Sequence, residues 1–257
     1  MSDAADTEEL EEGTLLSHLI ELRSRLIKMF AAVIGVFIVL LPFSGRIFEV
    51  VAKPLVAVLP GHKMIATSVT APLLTPFKLT FFVAILIAIP VVLYQLWAFV
   101  APGLYRKEKR FAFPLLFSSI FLFYAGAAFA YFAVFPLVFG FFVKITPTDV
   151  EMTTDISQYL DFVTMIVLAF GLAFETPIAT VLTVWTGLTT PEKLGKARPY
   201  VFLLAFVIGM LLTPPDVISQ TLLAVPVYLL YEVGIFMSRV FARRRSGAED
   251  EAVAADG

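Results

Sequence analysis

Apolar positions in this chain run together in long blocks, separated by short charged segments. Six blocks stand out: Leu26–Leu41, Leu79–Ala101, Phe111–Val143, Phe162–Thr186, Tyr200–Leu212 and Val217–Ser238. They lack the two-residue alternation of a half-buried strand, and most are too long and too uniformly apolar for a soluble amphipathic helix. Backbone groups placed in hydrocarbon must be satisfied within their own segment, so each block predicts a helix. The pattern therefore predicts an all-α integral membrane protein with six transmembrane helices. The fifth block has thirteen residues and spans only about 20 Å as a helix, against roughly 30 Å of hydrocarbon. The last two helices are thus expected to be short, joined by the turn Thr213-Pro-Pro-Asp216, with Pro226 interrupting the sixth block. Pro90, Pro136 and Pro177 lie inside other blocks and predict kinks, because each removes a helical hydrogen bond.

Composition sharpens this picture. Of 257 residues, 59% are hydrophobic and 16% are charged, with 26 phenylalanines, whereas soluble domains run near 45–50% apolar and about 25% charged. A chain this short cannot hide that much apolar surface from water, which excludes a soluble enzyme and a disordered protein. The absence of cysteine excludes disulfides and thiolate metal sites, and the two histidines, His18 and His62, have no partner at ligand spacing.

Charge orients the spans. Fourteen of the 19 Lys and Arg residues fall in residues 23–28, 106–110, 193–198 and 239–245. The other five, Arg46, Lys53, Lys63, Lys78 and Lys144, fall in the alternate connections. That asymmetry predicts both termini on the cytoplasmic side. The N-terminus has no basic region followed by a cleavable apolar one, so the first block is expected to direct its own insertion. Residues 1–13 read as an acidic disordered tail, 14–240 as one transmembrane domain, and 241–257 as a polar tail. The connection from Pro42 to Pro76 reads as a structured cap carrying a short amphipathic helix near Ile47–Val58.

Three groups of residues could carry chemistry. Glu175 sits in Phe170-Gly-Leu-Ala-Phe-Glu-Thr-Pro177, inside the fourth block. A charge at mid-helix costs about 2.5–3.5 kcal/mol to insert, and intramembrane acids are functional by default. Its alternatives are a structural partner for a polar group on another helix, or a docking or substrate site. Met210, Thr213 and Gln220 surround the turn between the last two blocks. They read either as turn chemistry, with Thr213 and Asp216 capping helix ends, or as hydrogen-bonding sites for a partner helix. Glu21 and Glu108 are acids inside basic stretches. They read either as locally neutralised charges, with Glu21 paired to Arg25 at i,i+4 spacing, or as receptors for a cationic ligand, since a carboxylate takes the guanidinium fork that Lys cannot reproduce. Protease, esterase and nucleotide-binding motifs are absent, so the chain does not read as an enzyme.

Four strings together resemble the TatC family, the multispanning subunit of the twin-arginine protein translocase. They are His18-Leu-Ile-Glu-Leu-Arg-Ser-Arg25, Leu93-Tyr-Gln-Leu-Trp-Ala-Phe-Val-Ala-Pro-Gly-Leu-Tyr105, Phe174-Glu-Thr-Pro177 and Leu212-Thr-Pro-Pro-Asp-Val217. The resemblance covers about residues 14–240. It implies a glove-like, concave bundle of six kinked helices in the bacterial inner membrane, without cofactors. It also implies that the chain recognises folded precursor proteins by an Arg-Arg pair in their signal peptide. On that resemblance Glu21 and Glu108 bind the pair at the cytoplasmic face, with Phe99 in the same site. Glu175 is the acid of the fourth helix, and Met210, Thr213 and Gln220 dock the single-span partners TatB and TatA. A homo-oligomeric complex driven by the proton-motive force is implied as well. The residues also admit a rival reading, a proton-coupled solute transporter using Glu175, which predicts inverted repeats.

Overall fold

The computed structural model describes residues 2–56, 64–100, 109–147, 154–212 and 217–255. Among the described residues the chain is helical, with one isolated parallel bridge between Ile65 and Asp155. The helices are α1 (Ser2–Leu40), α2 (Ser44–Val56), α3 (Ala71–Val100), α4 (Lys109–Phe129), α5 (Phe135–Ile145), α6 (Ile156–Ala173), α7 (Thr176–Trp185), α8 (Pro191–Lys196), α9 (Arg198–Leu212) and α10 (Val217–Ala255). Five stretches are long and apolar enough to cross a bilayer: Leu19–Lys53, Ala71–Phe99, Phe113–Ile145, Ile156–Trp185 and Gln220–Ala242. One further apolar helix, Arg198–Leu212, fifth in chain order, has 15 residues and reaches only about 22 Å, whereas the span after it, Gln220–Ala242, has 23 residues. The chain is thus an all-α, multi-pass membrane protein with one short crossing near its end.

The prolines have three different outcomes. Pro136 falls in the first turn of α5, and the five residues before that helix, Ala130–Val134, widen into a π-helix whose end is closed by the Phe135 amide on the Ala130 carbonyl. The wider ladder absorbs the missing amide without ending the span. Pro177 acts more strongly. The expected fourth helix is two helices, because α6 stops at Ala173 and α7 starts at Thr176 with Pro177 in its first turn. A proline there loses no bond, since the first amides of a helix have no intrahelical partner. Pro226 does the least. The expected interruption of the last block is absent, and α10 runs unbroken from Val217 to Ala255. That helix packs along α7 and α9, and such neighbours are what let a membrane helix tolerate an internal proline.

Contacts group the chain into two compact units. The first comprises Met1–Ile47 and Pro76–Ile120. In it α1 meets α3 through Phe37 and Phe81, whose rings lie edge to face at 5.5 Å. The Trp97 indole of α3 donates to the Ser119 hydroxyl of α4 at 3.2 Å, satisfying a polar group that would otherwise be buried alone.

The second unit comprises Phe48–Thr75 and Phe121–Gly257. Its centre is aromatic: Phe123, Phe135 and Phe170 are each almost wholly enclosed. Phe129 packs on Phe170 at 5.5 Å and on Phe174 at 5.6 Å, while Phe139 packs on Phe162 and Tyr159, each at 5.6 Å. Lipid tails are as apolar as these rings, so the cohesion comes from close packing rather than from escape from water. Two glycines set that closeness. A Cβ on Gly126 would stand 2.4 Å from the Phe170 carbonyl oxygen, and one on Gly234 would stand 2.2 Å from the Thr180 hydroxyl. α4 therefore presses on α6, and α10 on α7, at distances that a larger residue forbids.

The same unit holds the expected short amphipathic helix, observed as α2. Pro54 has no amide hydrogen, so the Val50 carbonyl four residues earlier has no helical donor. The Tyr131 hydroxyl donates to that carbonyl at 2.7 Å, and the Tyr159 hydroxyl donates to the Val51 carbonyl at 2.7 Å. Asp155 ties the connections around α2 and α6 together. Its carboxylate caps α6 by accepting from the amides of Ser157 and Gln158, at 2.8 and 3.2 Å. It also accepts from the Thr67 amide at 2.8 Å and the Thr67 hydroxyl at 2.7 Å. The bonds from Thr67, with those from the α6 amides, hold its carboxyl down at about 2.

Candidate functional site

The first unit builds a seat for a guanidinium. Glu21 and Arg25 lie one turn apart on α1, the spacing at which side chains on one helix face meet. Arg25 Nε donates to Glu21 Oε1 at 3.0 Å, and a second Arg25 nitrogen contacts the same oxygen. The i,i+4 pairing expected from sequence therefore forms. Arg25 also reaches α3, donating to the Ala98 carbonyl at 3.0 Å and to Gln95 Oε1 at 3.4 Å. The Ala98 carbonyl lies near the end of the described part of α3. Residue 102, which would have supplied its amide, is proline. Three acceptors thus converge on one guanidinium: a carboxylate, a side-chain amide oxygen and an orphan carbonyl. The Arg25 side chain is 18% exposed and that of Glu21 36%, so the seat opens to its surroundings on the Glu21 side. Phe99 follows Ala98 directly at the same end of α3 and is half-buried. Glu108, the second acid expected here, lies outside the described residues.

In the second unit Glu175 is not at mid-helix. It stands at the break between α6 and α7, as the residue before the α7 N-terminus, and its side chain does not cap the following amides. Its amide closes the end of α6 on the Leu172 carbonyl at 3.0 Å, and its carbonyl receives the Ala179 amide at 2.9 Å. The residue is half-buried, and its Oε1 atom is shielded from the surface. The positive end of α7 lowers the cost of a carboxylate there. Pro177 thus places the acid at a polar joint instead of a continuous apolar wall.

Met210 and Gln220 lie on the paired helices α9 and α10 in different conditions. Met210 is exposed, whereas Gln220 is half-buried and its amide nitrogen donates to the Phe206 carbonyl of α9 at 2.7 Å. Gly209 lets the two helices close at that point, since a Cβ there would lie 3.2 Å from Gln220. Thr213, the third member of the expected partner site, lies outside the described residues.

One further cluster is not singled out by the sequence pattern. Glu232, the single charge of the last apolar block, receives Arg198 through Nε at 2.7 Å on Oε1 and through a terminal nitrogen at 2.8 Å on Oε2. Tyr228 donates to Oε1 at 2.9 Å. This bidentate clasp fastens the start of α9 to α10. A signal for it exists in the sequence: a lone acid in an apolar block favours a cation at the same depth, and Arg198 stands two residues before the neighbouring block. Among the described residues no group of three His, Asp or Glu side chains could hold a metal ion.

Comparison with known proteins places these features. Residues 17–226 match the family model described as Sec-independent protein translocase protein (TatC). The chain is 53% identical over 237 residues to the Sec-independent protein translocase protein TatC of Escherichia coli (strain K12), covering 92% of each. It is 54% identical over 242 residues to that of Azotobacter chroococcum mcd 1, covering 93% of this chain and 95% of the relative. A crystal structure of the twin arginine translocase receptor TatC superposes with a TM-score of 0.78 at 41% identity, covering 87% of this chain and 98% of the other.

Proposed function

The chain belongs to the TatC family of Sec-independent protein translocase proteins, and from that premise we propose that Glu21 is a direct receptor for the signal's arginines. The chain is a multi-pass membrane subunit of the twin-arginine translocase. The match along residues 17–226 favours this role over solute transport through Glu175. In our reading both termini face the cytoplasm across the bacterial inner membrane. Residues 14–240 form the membrane domain, with the acidic 1–13 and polar 241–257 segments in water. The Arg-Arg pair of a folded precursor's signal peptide binds at the cytoplasmic face, one guanidinium on Glu21 and the other on Glu108. Phe99 supplies an apolar and aromatic surface beside them. The apolar part of the signal then packs on the membrane helices, among which Glu175 offers a polar joint. Met210, Thr213 and Gln220 dock single-span TatB and TatA partners, and several copies of the chain assemble in the working complex. The subunit performs no catalysis and needs no cofactor. Its sequence has no nucleotide-binding loop, so energy reaches it from outside the chain, as the proton-motive force.

One observation carries the receptor reading: the Glu21 carboxylate already holds a guanidinium, that of Arg25. A carboxylate that accepts one guanidinium has the chemistry to accept another, which supports the reading. Photocrosslinking from residues 15–25 and 99–110 to an Arg-Arg signal peptide tests it. The expected result is crosslinks at both segments that vanish when the peptide carries Lys-Lys. A topology reporter that puts residues 104–110 on the far side of the membrane would overturn the reading.

A further inference from the structure

The seat around Arg25 is more complete than an i,i+4 ion pair needs to be. A pair on one helix requires only a carboxylate and a cation. Here the guanidinium is also drawn out of the α1 surface onto α3, where the Gln95 amide oxygen and the Ala98 carbonyl receive it. Those three acceptors have fixed positions, suit a planar fork with several N–H groups, and match a lysine ammonium poorly. With Arg25 in place the seat is electrically balanced: the carboxylate is neutralised, and the orphan carbonyl is satisfied. A second cation gains little from approaching a neutral pair. With Arg25 removed the same atoms present a carboxylate, an amide oxygen and a backbone carbonyl to whatever guanidinium arrives.

We propose that Arg25 is an internal stand-in for a signal arginine: it fills the Glu21–Gln95–Ala98 seat in the resting chain and swings out when a signal guanidinium takes its place. The proposal rests on the receptor reading above and adds Gln95 and the Ala98 carbonyl to the site, with Arg25 as its gate. The exchange trades one guanidinium for another at the same acceptors, so it is nearly neutral for Arg and unfavourable for Lys. Selectivity for arginine then follows from competition with a resident arginine, beyond the fit of the seat itself. The displaced side chain has somewhere to go, because α1 is exposed at Leu22, Arg23, Ser24 and Leu26 around it.

The test measures binding of a fluorescent Arg-Arg signal peptide to the full chain in lipid vesicles. Arg25→Gln empties the seat and should tighten binding about fivefold, the factor set by releasing a partly exposed ion pair. Arg25→Lys leaves a cation that holds the three acceptors less well, and should tighten binding about twofold. A peptide with one arginine changed to lysine should become measurable with Arg25→Gln. A purely structural Arg25 moves the other way, because loosening α1 from α3 weakens the site. If Arg25→Gln fails to fold, Arg25→Lys decides. Unchanged or weaker binding by either folded variant overturns the stand-in. Glu21→Gln separates the two layers. If it leaves binding intact, the receptor reading itself fails. If it weakens binding while neither Arg25 variant tightens it, only the exchange fails.

Discussion

Arg25 puts both of its contacts with Glu21 on one carboxylate oxygen, whereas Arg198 lays one nitrogen on each oxygen of Glu232. Tyr228 then adds a third bond to Glu232. Glu232 is therefore used on both sides, and its clasp joins two different helices. Glu21 keeps Oε2 out of its bond with Arg25, and its partner sits one turn away on the same helix. Two acid–arginine pairs in one chain thus have different designs. The cross-helix pair is saturated and serves as a fastener. The same-helix pair uses one carboxylate oxygen among the described contacts, which is the arrangement that the proposed exchange needs. Geometry distinguishes them; residue type does not.

Removing the acids in turn should separate the two designs most clearly. Glu21→Gln is expected to cut affinity for an Arg-Arg signal peptide at least tenfold, about the loss of one charge-assisted hydrogen-bonded contact, while moving the thermal midpoint little. Glu232→Ala is expected to lower the thermal midpoint, because it removes the acceptor that Arg198 and Tyr228 share. Peptide binding should stay within about twofold of the parent. Thermal unfolding in detergent and peptide titration on the same samples would check both, and equal losses of stability would erase the distinction.

A double-mutant cycle gives a finer measure. Coupling between Glu21 and Arg25 should stay below about 1 kcal/mol, as for exposed pairs on one helix, and coupling between Arg198 and Glu232 should exceed it. The smallest effect concerns a third carboxylate, Asp155, which is saturated without any arginine. Its carboxyl sits at about 2 when folded, below the ordinary 3.8. A depressed value means that its contribution is complete above about pH 4 and fades as the pH falls toward 2. The thermal midpoint should therefore decline across that window in the parent. Asp155→Asn should start lower and decline less; a parallel decline would exclude Asp155 as the source.

The sequence makes some of this plain and hides the rest for physical reasons. Block length and polarity expose the spans, because hydrocarbon imposes the same demand on every residue of a block. The short fifth helix and the amphipathic α2 are legible on the same ground. Proline is legible as a disturbance but not in its size. Pro136, Pro177 and Pro226 give a π-helical stretch, a full break and an unbroken helix, and the outcome depends on neighbours that a linear sequence does not contain. Glu21 with Arg25 can be read from spacing; the involvement of Gln95 and Ala98, some seventy residues later, cannot. The Thr67–Asp155 tie is hidden because Asp155 looks like an ordinary helix-capping acid in a polar connection. Gln220 reads in sequence either as part of a turn or as a site for a partner helix, and spacing does not reveal that its amide nitrogen donates to the chain's own α9.

The tyrosines on α2 carry a consequence of their own. Successive residues of a helix are offset by about 100° around its axis, so phenols on the carbonyls of Val50 and Val51 hold the middle of α2 at two points around it. A single tether would let a short helix roll about its long axis; two at adjacent residues act as a dowel and a key. Pro54 provides the keyway by leaving one carbonyl open. The apolar side of this small helix is thereby fixed in azimuth relative to α6 and the π-helical stretch.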